Sequence, residues 1–135
     1  MTAKGYLSRF PVFYLKRKIV NKVLLVTSVL MLLAHLSLSR TMLSAFYVGG
    51  SVTSIVNHGT TSQLAKTVDR FTMFVGFCID MFLITHALSH GQGIAATLVC
   101  GAALCCWTNT LTHALAHFLV TLCHWRLHRQ LMHTM

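Results

Sequence analysis

The sequence has almost no acidic side chains. Its 135 residues include 11 Lys and Arg but only two Asp, and Glu is absent. Charged residues make up 10% of the chain, compared with about 25% in soluble domains. A chain this poor in charge has too few polar side chains to cover a water-facing surface. The same shortage excludes a carboxylate metal site and catalysis by paired carboxylates.

Proline and glycine are also scarce, with one and eight residues respectively. These numbers exclude a disordered or collagen-like chain. The chain also has neither a glycine-rich phosphate loop nor a serine nucleophile elbow. We therefore expect a non-catalytic protein, although it can belong to an oxidoreductase complex.

Apolar residues, at 55% of the chain, are concentrated in three long runs. A bilayer crossing needs about 20 apolar residues in a helix. The runs predict helices at about 19–48, 71–90 and 94–125. The polar segment 49–70 predicts a loop with a short helix near Ser62 to Thr67. The third run is longer than a straight crossing requires, and Gly101 is a candidate joint within it. The sequence thus predicts an all-α, integral membrane three-helix bundle, formed by residues 19–135 as a single unit.

Residues 1–18 are basic and aromatic and carry no acid. This composition is typical of an interfacial arm, and equally of a mitochondrial targeting segment. Lys16, Arg17, Lys18 and Lys22 are expected to bind lipid headgroups, such as those of cardiolipin. Because basic residues favour the inner side of a membrane, the N-terminus is predicted to face the cytosol, or the matrix if the membrane is mitochondrial. The basic residues flank apolar runs, so nucleic acid is not an expected partner.

Nine histidines are the most informative feature of the sequence. Six of them form H-x-x-x-H pairs, which place both rings on one helical face: His86/His90, His113/His117 and His124/His128. A histidine within a bilayer is a candidate functional residue that can ligate haem iron, bind a metal or relay protons. It can also simply form a hydrogen bond to a neighbouring helix.

Depth along the helices predicts which histidines can meet. His35 and His113 are expected at similar depth toward the outer side. His86 is expected toward the inner side, so that a haem bound there would need a second ligand from another subunit. His90, His124, His128 and His133 are expected in the headgroup region.

Asp80 lies near the middle of the second apolar run and is the only acid predicted deep in the membrane. Two roles are open for it. It can act as a proton relay, or it can form a structural hydrogen bond with a neighbouring helix or a partner subunit.

Residues Leu83 to Leu98, LITHALSHGQGIAATL, resemble the end of the second helix in the small membrane-anchor subunits of succinate dehydrogenase, respiratory complex II. The resemblance covers 16 residues. It implies three crossings, an N-terminus in the matrix and a b-type haem ligated by His86 or His90. The Asp-Tyr pair that this family places near the quinone is missing here.

Together these features predict a small subunit of a larger membrane complex, because three helices offer few partners for buried polar groups. The first hypothesis is a structural or anchoring subunit of a respiratory complex in the mitochondrial inner membrane, with His86, His90, His35 and His113 as candidate haem ligands. The alternatives are an ion or proton transport component that uses Asp80 and His86, and a non-respiratory membrane scaffold.

Overall fold

The computed structural model describes residues 19–87, 93–106 and 109–135, and this part of the chain is all-α. It forms five α-helices: α1 (Lys22–Leu36), α2 (Met42–Gly59), α3 (Gln63–Phe82), α4 (Gly93–Cys105) and α5 (Thr110–Thr134). A π-helical turn, Leu83–Ala87, extends α3.

Four of the helices begin at a residue whose side chain caps exposed backbone N–H groups. Asn21, Thr41, Ser62 and Asn109 each accept a hydrogen bond from the backbone N–H three residues later. At α2 and α5 a second bond runs back to the cap, which completes a capping box. Short polar side chains between apolar runs therefore fix where the helices begin.

Contacts between helices define an up-and-down bundle. Ser28 of α1 bonds Ser54 of α2, and Asn21 at the start of α1 bonds His58 at the end of α2, so that these helices are antiparallel. Helix α3 is antiparallel to α2, and α4 is antiparallel to α5. Helix α5 runs parallel to α1. Asn21 contacts Thr110 where both helices begin, and His35 contacts His124 farther along both of them.

Burial in the bundle is inverted relative to a water-soluble protein. Among residues 19–87, 93–106 and 109–135, twelve buried side chains are polar or charged, whereas nine are hydrophobic, and 26 large hydrophobic side chains are exposed. The main apolar cluster lies between α4 and α5, and its buried members are Ala95, Val99, Cys123 and Leu127. Polar contacts therefore hold much of the remaining interior.

The number of helices differs from the sequence prediction of a three-helix bundle. The predicted helix at 19–48 is interrupted at 37–41. The predicted loop is helical up to Gly59, and the short helix predicted near Ser62 to Thr67 is the start of a helix that runs from Gln63 to Phe82. Caps at Thr41 and Ser62 start new helices there, because their side chains accept backbone N–H bonds that would otherwise be unpaired.

The predicted third helix, 94–125, is also divided. Helix α4 ends at Cys105, and α5 begins after the Asn109 cap rather than continuing through the joint proposed at Gly101. Within residues 19–87, 93–106 and 109–135, none of the helices combines the length and the hydropathy that a bilayer crossing requires. The predicted arm at 1–18, with Lys16, Arg17 and Lys18, lies outside the described residues.

Candidate functional site: a buried polar centre

Two rows of polar side chains line the interior of the bundle. The row on α2 repeats at alternating intervals of three and four residues, which keeps it on one face: Ser44, Tyr47, Ser51, Ser54 and His58. The row on α5 repeats at intervals of four, seven and four residues: His113, His117, His124 and His128. Apart from the half-buried His113, all of these residues are buried.

Asp80 of α3 is the centre of a hydrogen-bond chain that joins four helices. Its Oδ2 lies 2.9 Å from His124 Nε2, and its Oδ1 accepts a bond of 3.1 Å from the Tyr47 hydroxyl. The other nitrogen of His124, Nδ1, lies 3.2 Å from His35 Nε2. His35 Nδ1 then lies 2.7 Å from the Ser51 Oγ. Asp80 is buried in the bundle, with only 1% of its surface exposed.

Ring packing holds His124 in this chain. Its imidazole stacks on the Tyr47 ring with a centroid distance of 3.7 Å and an interplanar angle of 7°. The His35 ring lies 5.1 Å from it at 37°. His124 therefore has little freedom to turn away from Asp80, and this rigidity keeps donors and acceptors aligned.

The donors in the chain determine how many protons it holds. When the single proton of Ser51 bonds the Tyr47 carbonyl at 3.0 Å, His35 Nδ1 must donate to Ser51 and His35 Nε2 must accept from His124. One further proton then lies between His124 Nε2 and Asp80 Oδ2. On His124 it forms an ion pair with the carboxylate, and on Asp80 it forms a neutral pair.

The chain can also run in the opposite direction. If Ser51 donates to His35, then His35 donates to His124, and His124 donates to an ionised Asp80. This arrangement holds one proton fewer, and both ring nitrogens of His35 and His124 still have a hydrogen-bond partner. The first arrangement therefore becomes the second when the chain releases one proton, and the first is restored when the chain takes up one proton.

A second cluster lies near the other end of the interior and consists of His58, His113 and His117. The three rings lie edge-on or tilted, with centroids 5.0–5.5 Å apart. One nitrogen from each ring lies within 4.8 Å of the others, a spacing suited to ligands of a metal ion. His117 is two helical turns from His124, about 10 Å along α5.

The tautomer of His117 follows from its neighbour in α1. Thr27 Oγ1 lies 2.7 Å from His117 Nδ1 and donates its own proton to the carbonyl of Leu24 at 3.1 Å. His117 Nδ1 must therefore be the donor, which leaves a lone pair on Nε2. His117 Nε2 lies 3.4 Å from Ser54 Oγ.

Three charged residues of α3 line the same cavity as this cluster: Lys66, Asp69 and Arg70. Asp69 is buried and accepts bonds from Asn57 at 2.6 Å and Thr53 at 3.2 Å. Partial burial and, to a smaller extent, Arg70 lower the pKa of Lys66 below its ordinary value. A cavity of about 590 Å³ is lined by residues of both histidine clusters and by Lys66, Asp69 and Arg70. Both histidine clusters therefore face the same cavity.

Depth along the apolar runs predicted that His35 and His113 lie at the same level, but the structure places them at different levels of the bundle. Because α5 begins only at Thr110, His113 lies in its first turn, level with the start of α1. His35, in the last turn of α1, instead contacts His124. Both ring nitrogens of His35 contact protein atoms, so a haem iron there would have to displace Ser51 or His124.

The other predicted site residues lie apart from these clusters. His86 is exposed on the π-helical turn, stacked on Phe82 and bonded to the hydroxyl of Thr85. Lys22 is exposed in the first turn of α1. His90 lies outside the described residues. Haem ligation by His86 or His90 and headgroup binding by Lys22 stay predictions.

Several residues of the buried clusters were not predicted from the sequence. His124 and His128 were expected in the headgroup region, but both are buried, and His128 Nε2 contacts the carbonyl of Ser39 at 3.0 Å. The repeating interval of histidines along α5 contained this signal. Tyr47 and His58 were missed because the helix that aligns them was interpreted as the end of one helix followed by a loop.

Comparison of the chain with protein-family models, with curated proteins and with solved structures gives no match.

Proposed function

We propose that this protein is a membrane-embedded subunit of a larger complex and passes protons through the interior of its bundle. The observation that carries the proposal is the chain from Ser51 through His35 and His124 to Asp80, which has two hydrogen-bond arrangements that differ by one proton. Ionisable groups buried among apolar helices are costly, and they mark proton relays in membrane proteins.

The outer surface of the bundle supports a membrane location. Large apolar side chains are exposed along the middle of α1, where Val26 is 58%, Leu30 54% and Leu33 58% exposed. A surface of this kind is stable when lipid or another apolar protein covers it. The basic residues before α1 support a position of the N-terminus in the matrix, in the mitochondrial inner membrane.

The cavity supports a path longer than the Asp80 chain. It reaches from Asp80 and His124 to the His58 cluster at the end of the bundle that holds Asn21. On the other side, His128 bonds the carbonyl of Ser39 in the connection between α1 and α2. Protons would enter at one end and move through the cavity to the Asp80 chain.

Proton flux into liposomes tests this proposal. The full chain, alone and with its co-purified partners, is reconstituted with a pH-sensitive dye inside, and a membrane potential is imposed. We expect Asp80→Asn to abolish the flux, because the amide can still accept from Tyr47 and donate to His124 but cannot exchange the proton. His124→Gln is expected to have the same effect.

His133→Gln is the matched control for His124→Gln, because His133 is exposed on the same helix. It is expected to conduct as the unmodified chain does. A flux that is the same with and without Asp80→Asn, or no flux from either reconstitution, would contradict the proposed relay.

A second candidate is an anchoring subunit of a respiratory complex. The exposed apolar faces favour it, because they offer docking area to sister helices, and the exposed His86 would then take its second haem ligand from a partner. Its partners would be the other membrane subunits together with phospholipids such as cardiolipin.

Gentle extraction of the membrane, followed by identification of co-purifying chains, tests the anchoring role. We expect respiratory subunits and a b-type absorption band that is lost in His86→Ala but kept in His133→Ala. A stable, colourless, monodisperse chain without partners would overturn the anchoring role.

A further inference from the structure

We propose that His58, His113 and His117 form a binding site for Zn²⁺, with the three imidazoles as ligands and a fourth position open to the cavity. The three residues come from the end of α2 and the start of α5, and one nitrogen of each lies within 4.8 Å of the others. Two rings are buried and the third is half-buried. The site shares no residue with the Asp80 chain.

The three ring nitrogens need to move only slightly closer together to bind one ion. Zinc binds imidazole nitrogen at about 2.0–2.1 Å, which places two ligands of a tetrahedral ion about 3.3 Å apart. The side chains would therefore move together by about 1–1.5 Å, a shift within reach of small rotations about the side-chain bonds. Three histidines with one open position are a recurring arrangement in zinc sites.

Hydrogen bonding prepares His117 as a ligand. Its Nδ1 donates to Thr27, so the Nε2 lone pair is available on the side of Ser54 and the cavity. A hydrogen bond to the second ring nitrogen is the usual way in which proteins orient a metal-bound histidine. His113 Nε2 is buried and has no hydrogen-bond partner among the described residues, an arrangement that a bound ion would correct.

The ligand type selects the class of ion. Imidazole nitrogen suits zinc and its neighbours in the first transition row, whereas Mg²⁺ and Ca²⁺ require oxygen ligands. The cations Lys66 and Arg70 line the same cavity and oppose a positive ion, while the buried carboxylate of Asp69 favours it. Asp69 is held by Asn57 and Thr53, which fixes that negative charge in the lining of the cavity.

X-ray absorption at the zinc edge tests the site on the unmodified full chain. The protein carries no polyhistidine tag and is loaded with ZnCl₂ in mild detergent. We expect one tightly held ion per chain, with the multiple-scattering pattern of three imidazoles. A shell of oxygen ligands, fewer than three imidazoles, or no retained zinc after dialysis would overturn the proposal without any variant having to fold.

Variants then assign the residues. Thr27→Val removes the hydrogen bond to His117 and is expected to weaken zinc binding by about 10–100-fold in competition with a chromogenic chelator. Thr121→Val is its matched control, because the Thr121 hydroxyl bonds the backbone carbonyl of His117 rather than the ring. We expect the control to bind zinc as the unmodified chain does.

His117→Ala and His124→Ala separate the two buried clusters. The first should lose the ion, and the second should retain it, because His124 belongs to the Asp80 chain. Loss of zinc in His124→Ala with retention in His117→Ala would place the ion elsewhere and contradict the assignment. Zinc binding without proton flux would leave this site in place while overturning the proposed relay.

Discussion

Replacing Asp80 by alanine is expected to lower the free energy of unfolding by about 3–5 kcal/mol. The substitution leaves the Tyr47 hydroxyl and His124 Nε2 without the carboxylate that both of them contact in the interior. Buried polar groups that lose their partner cost more than the original bond contributed, because water cannot replace it. Thermal unfolding in mild detergent, followed by circular dichroism, measures the loss.

Asp80→Asn is the matched control, since it keeps the volume and both contacts, and it should cost about 1 kcal/mol. Tyr47→Phe adds a second check. It should cost about 1 kcal/mol in the unmodified chain and much less when Asp80 is already alanine, because the hydroxyl has then lost its acceptor. An Asp80→Ala variant as stable as Asp80→Asn would show that Asp80 does not hold the helices together.

The all-α class could be predicted from the sequence, but the number of helices could not. Hydropathy gives the apolar runs, and most of each run is helical within the described residues. The breaks before Thr41 and Asn109 depend on these single capping residues, which lie within long stretches of sequence that are apolar enough to be predicted as continuous helix. A hydropathy pattern averages over such residues, although their side-chain bonds decide where a helix begins.

Part of the candidate site could also be predicted. Asp80 was identified as a costly buried acid, and its position in the core agrees with that expectation. Its partner was not identified, because depth was counted along an unbroken third helix. A helix that begins at Thr110 instead moves His124 to the level of His35, and moves His113 to the level of Asn21. The wrong position of the break between α4 and α5 therefore led to the wrong predicted partner for His35.

Replacing Leu30 by lysine is expected to cost about 2.5–3.5 kcal/mol in membrane integration. Leu30 is 54% exposed near the middle of α1, where the proposed membrane location places lipid chains. A lysine at this depth must bury its ammonium or distort the bilayer to reach water. The fraction of chain that remains in vesicles after carbonate washing measures the effect, and it should fall strongly.

Leu36→Lys is the matched control, because Leu36 is 59% exposed on the same helix but lies at its end, four residues before Arg40. A lysine there can extend its ammonium to the interface, as long basic side chains do near helix ends, and it should integrate normally. If water covered α1, both variants would change stability by only about 0.5 kcal/mol. Equal, small effects would therefore contradict the membrane location, whereas a large effect at Leu30 alone requires an apolar environment around the middle of α1.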